Sequence, residues 1–306
     1  MRIVFMGTPE FAVPPLTALL DAGHEVVGVF TQPDRPAGRG KKLTASPVKK
    51  LAVERGIPVF QPVKIRRDGV EDLRALAPEV CVTAAFGQIL SQEILDIPIL
   101  GTVNVHASLL PKHRGSAPIA WAILQGDRTV GVTTMLTDRG IDTGAMLLKA
   151  ETERGADETC GELTARLSVL GAELLVRTLA GLADGSVVPV PQDEAATTYD
   201  PMLSKEMGQI DWSEPAEAVA CRILALNPWP CCTWEGIRLL RARAAAVPEG
   251  RGGRAPGAVL TADPKRGLVI ACGGDTAVEL TEIQAPGGKP MRAADYLRGH
   301  PMEIAE

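Results

Sequence analysis

The feature that most constrains this chain is a rhythm. Short apolar runs of strand length recur with helical segments between them. Residues 2–6 read RIVFM, residues 24–31 HEVVGVFT, residues 79–86 EVCVTAAF and residues 102–106 TVNVH. Between them, residues 10–22, 48–55 and 68–77 have helical spacing. Ser46 and Pro47 supply a cap and a first-position proline for the second of these helices. A short strand at residues 57–60 fits the same pattern. Further on, a helix is expected over 117–125, strands over 130–136 and 146–149, and a long amphipathic helix over 157–183. Strands alternating with helices make an α/β fold with a mostly parallel, Rossmann-like sheet and right-handed crossovers.

The texture changes after Gly185. Residues 186–204 (SVVPVPQDEAATTYDPMLS) carry three prolines and little periodicity, which reads as a linker. A helix is expected over 215–226. Short β-like runs follow at 233–240, 258–261, 268–271 and 277–283, punctuated by the glycine turns at 250–253 and 273–275. That pattern predicts a small C-terminal β-barrel or sandwich; as a barrel with a basic face it reads as an oligonucleotide-binding (OB-like) module. The expected domains are therefore 1–185, a linker over 186–205, and 206–306.

The net charge of −5 argues against a bulk polycation, so any nucleic-acid contact must come from local patches. The six cysteines fit no zinc spacing, since Cys231 and Cys232 are adjacent, and they are read as reduced thiols. No metal is expected. No apolar run reaches the ~20 residues that span a bilayer, and the first residues lack a signal-peptide pattern. A cytoplasmic protein is expected. The first strand–helix turn, Gly7-Thr8-Pro9-Glu10, holds one glycine of the three in a dinucleotide fingerprint, which argues against a nicotinamide cofactor.

Chemistry concentrates in residues 104–115, NVHASLLPKHRG. Alternation along a strand puts Asn104 and His106 on one face at its carboxyl end, where parallel sheets bind ligands. An amide and an imidazole there can donate hydrogen bonds to an oxyanion, and the imidazole can also move a proton. The bland alternative is a satisfied strand-end histidine beside a surface Asn. Asp142 stands in a glycine-flanked loop, TDRGIDTG, 36 residues beyond His106. It can return to the same sheet edge or simply form a turn.

These residues resemble a family. The pattern N-x-H-x-S-L-L-P with a distant I-D-T-G is similar to the folate-dependent formyltransferases. GTPEFA, TQPDRPAGRGKKL at 31–43 and NPWP at 227–230 extend the likeness over nearly the whole chain. His113 departs from the pattern, in which an aromatic residue is common. The resemblance implies 10-formyltetrahydrofolate as formyl donor and initiator methionyl-tRNA as acceptor. It implies catalytic roles for Asn104, His106 and Asp142. It also implies that Ser108, Leu109, Leu110 and Pro111 shape the folate pocket.

Two basic patches suit an RNA partner. Arg35, Arg39, Lys41, Lys42, Lys49 and Lys50 face only Asp34 in their stretch, and Gly38 and Gly40 bracket Arg39. The resemblance places this loop at the acceptor end of the tRNA, with Arg35, Arg39, Lys41 and Lys42 as contacts. The second patch lies between residues 238 and 266, with Arg241 and Arg243 alternating along an expected strand. A monomer is expected. The competing readings are a formyltransferase for a nucleotide amine or amino sugar, and a catalytically silent RNA-binding protein.

Overall fold

The computed structural model describes residues 1–37 and 42–305. Its chain divides into two compact units. One comprises Met1–Gly115, Val130–Thr152 and Thr164–Tyr199, and the other Ser116–Thr129, Glu153–Leu163 and Asp200–Glu306.

The first unit is built on a seven-stranded sheet. In chain order the strands are β1 (Arg2–Gly7), β2 (Glu25–Phe30), β3 (Val59–Phe60), β4 (Val80–Ala84), β5 (Thr102–His106), β6 (Thr129–Leu136) and β7 (Met146–Glu153). Their order across the sheet is β7-β6-β5-β4-β1-β2-β3. β1 through β5 run parallel, and β6 is antiparallel to β5. The central strands are apolar because both faces are covered: Ile3, Val4, Phe5 and Met6 have no exposure, nor do Val80, Cys81 and Val82. Leu16 and Leu19 of helix Val13–Asp21 are also fully buried. Val4, Met6, Phe30, Leu73, Cys81 and Ile94 form one cluster. Each such side chain contributes about 1.5–3 kcal/mol relative to exposure. Burial pushes the Cys81 thiol up to about 12, so it packs as a small hydrophobe. Ser46 caps helix Pro47–Glu54 by accepting from the Lys49 backbone N–H at 3.1 Å, as its position before Pro47 suggests.

The segment that composition marks as a linker is structured in part. Residues up to Tyr199 group with the first unit. They include the 3-10 turn Glu194–Ala196, and the Thr198 carbonyl accepts from the Arg114 N–H at 2.9 Å. Polar contacts anchor this stretch, so it leaves no apolar periodicity to read.

The second unit is an antiparallel six-stranded sheet. Its strands are β8 (Cys232–Trp234), β9 (Ile237–Ala245), β10 (Val259–Asp263), β11 (Gly267–Cys272), β12 (Thr276–Gln284) and β13 (Met291–Arg292). They run in the order β8-β9-β12-β11-β10, with β13 on β12. The single run expected at 233–240 is two strands joined at Glu235 (φ 49°) and Gly236 (φ 80°), a tight hairpin whose Glu-Gly pair is not a common turn signal. Helix Ala216–Ala225 buries Ala216, Val219, Ala220 and Ile223 against Leu239, Ile270 and Leu280. Its spacing is that of one helix face. Among the described residues no helix is long and apolar enough to cross a membrane.

Arg241 reaches from β9 to Glu162, with Nη2 2.7 Å from Oε1. That guanidinium, with help from the Thr159 backbone N–H, holds the Glu162 carboxyl well down, from 4.5 to about 2. A carboxyl depressed on folding stabilises the fold above its unfolded value and loses that effect as pH falls through its folded value. Glu162→Gln should therefore destabilise the protein at pH 7 by roughly 1 kcal/mol or less, since half the side chain is solvent-screened. The difference from wild type should fade between pH 4.5 and about 2. Urea melts across that range measure it, and a gap that persists at pH 2 would contradict the assignment.

Candidate active site

The site begins at the carboxyl end of β5. Asn104 and His106 lie on one face of that strand, opposite Met135 and Thr133 of β6. Thr83, at the neighbouring position of β4, donates its hydroxyl to Asn104 Oδ1 at 3.0 Å. With its oxygen held, the amide turns its NH₂ outward, and Asn104 Nδ2 stands 3.4 Å from Asp142 Oδ1. His106 Nδ1 stands 3.6 Å from the same oxygen. His106 is 7% exposed and Asp142 17%, so the imidazole and the carboxylate meet largely shielded from solvent.

The tautomer of His106 follows from its other contact. Nε2 lies 2.8 Å from the His113 carbonyl oxygen. A carbonyl only accepts, so Nε2 carries hydrogen. Nδ1 is then the nitrogen that faces Asp142, and it donates only when the ring is charged. The carboxylate supplies the opposite charge beside it. His113 adopts the left-handed region (φ 59°), which directs its carbonyl.

Asp142 is fixed from several sides. Its backbone is also left-handed (φ 54°), a conformation that Asp tolerates better than most residues. Its Oδ2 accepts from the Gly115 N–H at 2.9 Å. The loop before it is closed by Asp138, which accepts from the Gly140 N–H at 3.0 Å and the Thr143 hydroxyl at 2.6 Å. Gly144 is required here, because a β-carbon would strike the Leu136 carbonyl oxygen. Gln192 donates to the carbonyls of Asp142 and Gly144, both at 2.8 Å. No sequence signal marked Gln192 or Thr83, because each acts through contacts to residues distant in the chain.

Residues 108–111 form a braced turn. Ser108 Oγ donates to the Lys112 carbonyl at 2.7 Å. Thr133 Oγ1 donates to the Ser108 carbonyl at 2.7 Å and accepts from the Leu110 N–H at 3.1 Å. Leu110 is fully buried, while Leu109 and Pro111 keep partial exposure. Lys149 caps the Leu110 carbonyl.

Among the basic residues, Arg35 and Lys42 lie on the two paired strands of a short hairpin, Arg35–Ala37 with Lys42–Thr44, Arg35 opposite Thr44 and Lys42 opposite Ala37, and both are exposed. Arg39 and Lys41 lie outside the described residues. Lys49 is neutralised, with Nζ 2.7 Å from Asp34 Oδ2 and 2.8 Å from Gln61 Oε1. Its charge therefore secures the base of the hairpin. In the second unit, Arg241 is held by Glu162 and Glu282. Arg243 pairs with Glu279 at 2.8 Å and remains 56% exposed.

Comparison with known proteins gives two domain matches: residues 1–179 to the "Formyl transferase" model, and residues 202–301 to "Formyl transferase, C-terminal domain". The chain is 50% identical over 305 residues to methionyl-tRNA formyltransferase of Trichlorobacter lovleyi, covering 99% of this chain and 95% of that one. The enzyme of the same name from Pseudomonas putida is 51% identical over 310 residues, covering 100% and 98%. Among solved structures, the N-formyltransferase of Helicobacter canadensis, in complex with folinic acid and dTDP-3-aminofucose, superposes with a TM-score of 0.69. It is 15% identical and covers 92% of this chain and 98% of its own. At that identity the likeness speaks for the fold.

Proposed function

Because this chain belongs to the formyl transferase family, we propose that Asn104, His106 and Asp142 are the groups through which it moves a formyl group. The chain is an enzyme. It transfers the formyl group of 10-formyltetrahydrofolate to the free α-amine of initiator methionyl-tRNA, giving formylmethionyl-tRNA for translation initiation. The observation that carries the catalytic assignment is the convergence of one amide nitrogen and one imidazole nitrogen on Asp142 Oδ1, at 3.4 and 3.6 Å.

The amine nitrogen bonds to the formyl carbon as the carbonyl electron pair moves onto oxygen. The oxyanion needs donors that are already in place. Asn104 Nδ2 is aimed by Thr83, and the His106 ring is aimed by the His113 carbonyl. Each such donor is worth about 3–4 kcal/mol, or roughly 10²–10³ in rate. Asp142 sets its carboxylate beside the imidazole and lies where a proton leaving the amine can be accepted. Collapse re-forms the carbonyl, breaks the bond to N10 and leaves that nitrogen with the proton.

Leu109 and Pro111 give the folate an apolar wall, with Ser108 and Leu110 bracing the turn from behind. Arg35, Arg39, Lys41 and Lys42 meet phosphates of the acceptor end. Arg243 offers a more exposed charge to RNA than Arg241, whose fork Glu162 fills. The catalytic domain covers 1–185 and the RNA-binding domain 206–306. The enzyme works as a monomer in the cytoplasm.

The acceptor is tested by offering initiator methionyl-tRNA, glycinamide ribonucleotide and free methionine in one formyl-transfer assay. Turnover with the tRNA alone supports the reading, and turnover with the nucleotide instead overturns it. Arg39→Gln should raise KM for tRNA severalfold and lower the slope of log KM against log salt by about one phosphate contact. The Kd for the folate should stay unchanged, as isothermal titration can check. An unaltered KM for tRNA would remove Arg39 from the interface.

A further inference from the structure

Arg114 is the largest of the fully buried side chains among the described residues, with no exposure at all. A buried guanidinium is costly unless its donors are filled. Here Nε donates to Gln192 Oε1 at 2.9 Å. Nη1 and Nη2 take the two oxygens of Glu194 at 3.1 and 2.8 Å, and Nη1 also reaches the Tyr199 hydroxyl at 2.9 Å. The Tyr199 ring lies under the guanidinium carbon at 5.5 Å.

A simple ion pair with Glu194 would not require Gln192. What Gln192 adds is direction. Its oxygen is committed to Arg114, so its NH₂ must point the opposite way. There it donates to the Asp142 and Gly144 carbonyls. The next residue after Arg114 contributes as well, since the Gly115 N–H holds Asp142 Oδ2. The Arg114-Gly115 segment therefore grips Asp142 twice, on its main chain through Gln192 and directly on its carboxylate.

We propose that Arg114 and Gln192 are positioning residues for formyl transfer. They form a strut, buried at Arg114 and half-buried at Gln192, that fixes the main chain of residues 142–144, and so sets Asp142 Oδ1 against His106 and Asn104. The proposal rests on the catalytic reading of those three residues. Neither Arg114 nor Gln192 touches the reacting atoms. The strut acts by removing freedom from a loop whose carboxylate must stay within a fraction of an ångström of its partners.

Gln192→Glu tests it. The change keeps size and keeps an acceptor for Arg114, but removes both donors to the loop. Expected is a fall in kcat of about tenfold to a hundredfold. KM for the folate should hold, the pH–rate profile should change shape, and the melting curve should stay near that of wild type. Gln192→Met, which packs without donating, should behave alike. Hydrogen exchange over residues 137–146 reads the strut without turnover and should quicken in both variants. Wild-type kcat, pH profile and exchange in both would overturn the proposal. So would loss of the fold in both, which would make the network plain structural support. A wild-type protein unable to formylate would instead count against the functional reading, while the exchange data would still judge the strut.

Discussion

Replacing His106 by alanine lowers kcat/KM for formyl transfer by about 10²–10³-fold in a protein that still folds. The ring is 7% exposed, and its Nε2 is committed to the His113 carbonyl. Only Nδ1 remains for chemistry, at 3.6 Å from Asp142. Removing the ring deletes that nitrogen and leaves the carboxylate without its imidazole neighbour. Steady-state rates with initiator methionyl-tRNA, set beside a melting curve, separate this effect from unfolding. A rate within twofold of wild type would exclude His106 from the mechanism. Asn104→Ala should act in the same direction, by tenfold or more, through the second donor.

Asp142→Asn should be as severe, by about 10²-fold or more, although it changes one atom. The Asn oxygen can still accept from the Gly115 N–H. Its NH₂ then points at Asn104 Nδ2, donor against donor, where Oδ1 now accepts. The charge beside the imidazole is lost as well. The pH–rate curve distinguishes two roles. A low plateau at every pH makes Asp142 part of the proton path. A shifted limb with the plateau kept would make it a tuner only, and would contradict the prediction.

How much of this could be read beforehand depended on the range of each interaction. Strand periodicity is local, so β1, β4 and β5 were legible, and with them the shared face of Asn104 and His106. Asp142 was suggested by its glycine context, but its return to the sheet edge is set by Gly144, the Gly115 N–H and Gln192. Gln192 lies 50 residues from Asp142 in a proline-rich stretch, and one amide side chain leaves no pattern. Arg114 was visible as a charge but not as a buried one, because burial depends on partners 78 to 85 residues away. Lys49 belongs to the basic patch by sequence, but in the fold Asp34 and Gln61 surround its ammonium group. The hairpin at Glu235-Gly236 was hidden because the pair is unusual at a position where both residues need positive φ.

The assignment asserts that His106 and Asp142 act as one unit on one carbonyl. A double-mutant cycle in kcat/KM puts that to the most direct test, using His106→Ala, Asp142→Asn and the combined variant, all checked for folding. If the two residues work together, the double variant should be about as slow as the slower single one, because the second loss removes nothing that still functions. Multiplicative losses, each residue costing its full factor whether or not the other is present, would show two independent contributions and contradict the shared site.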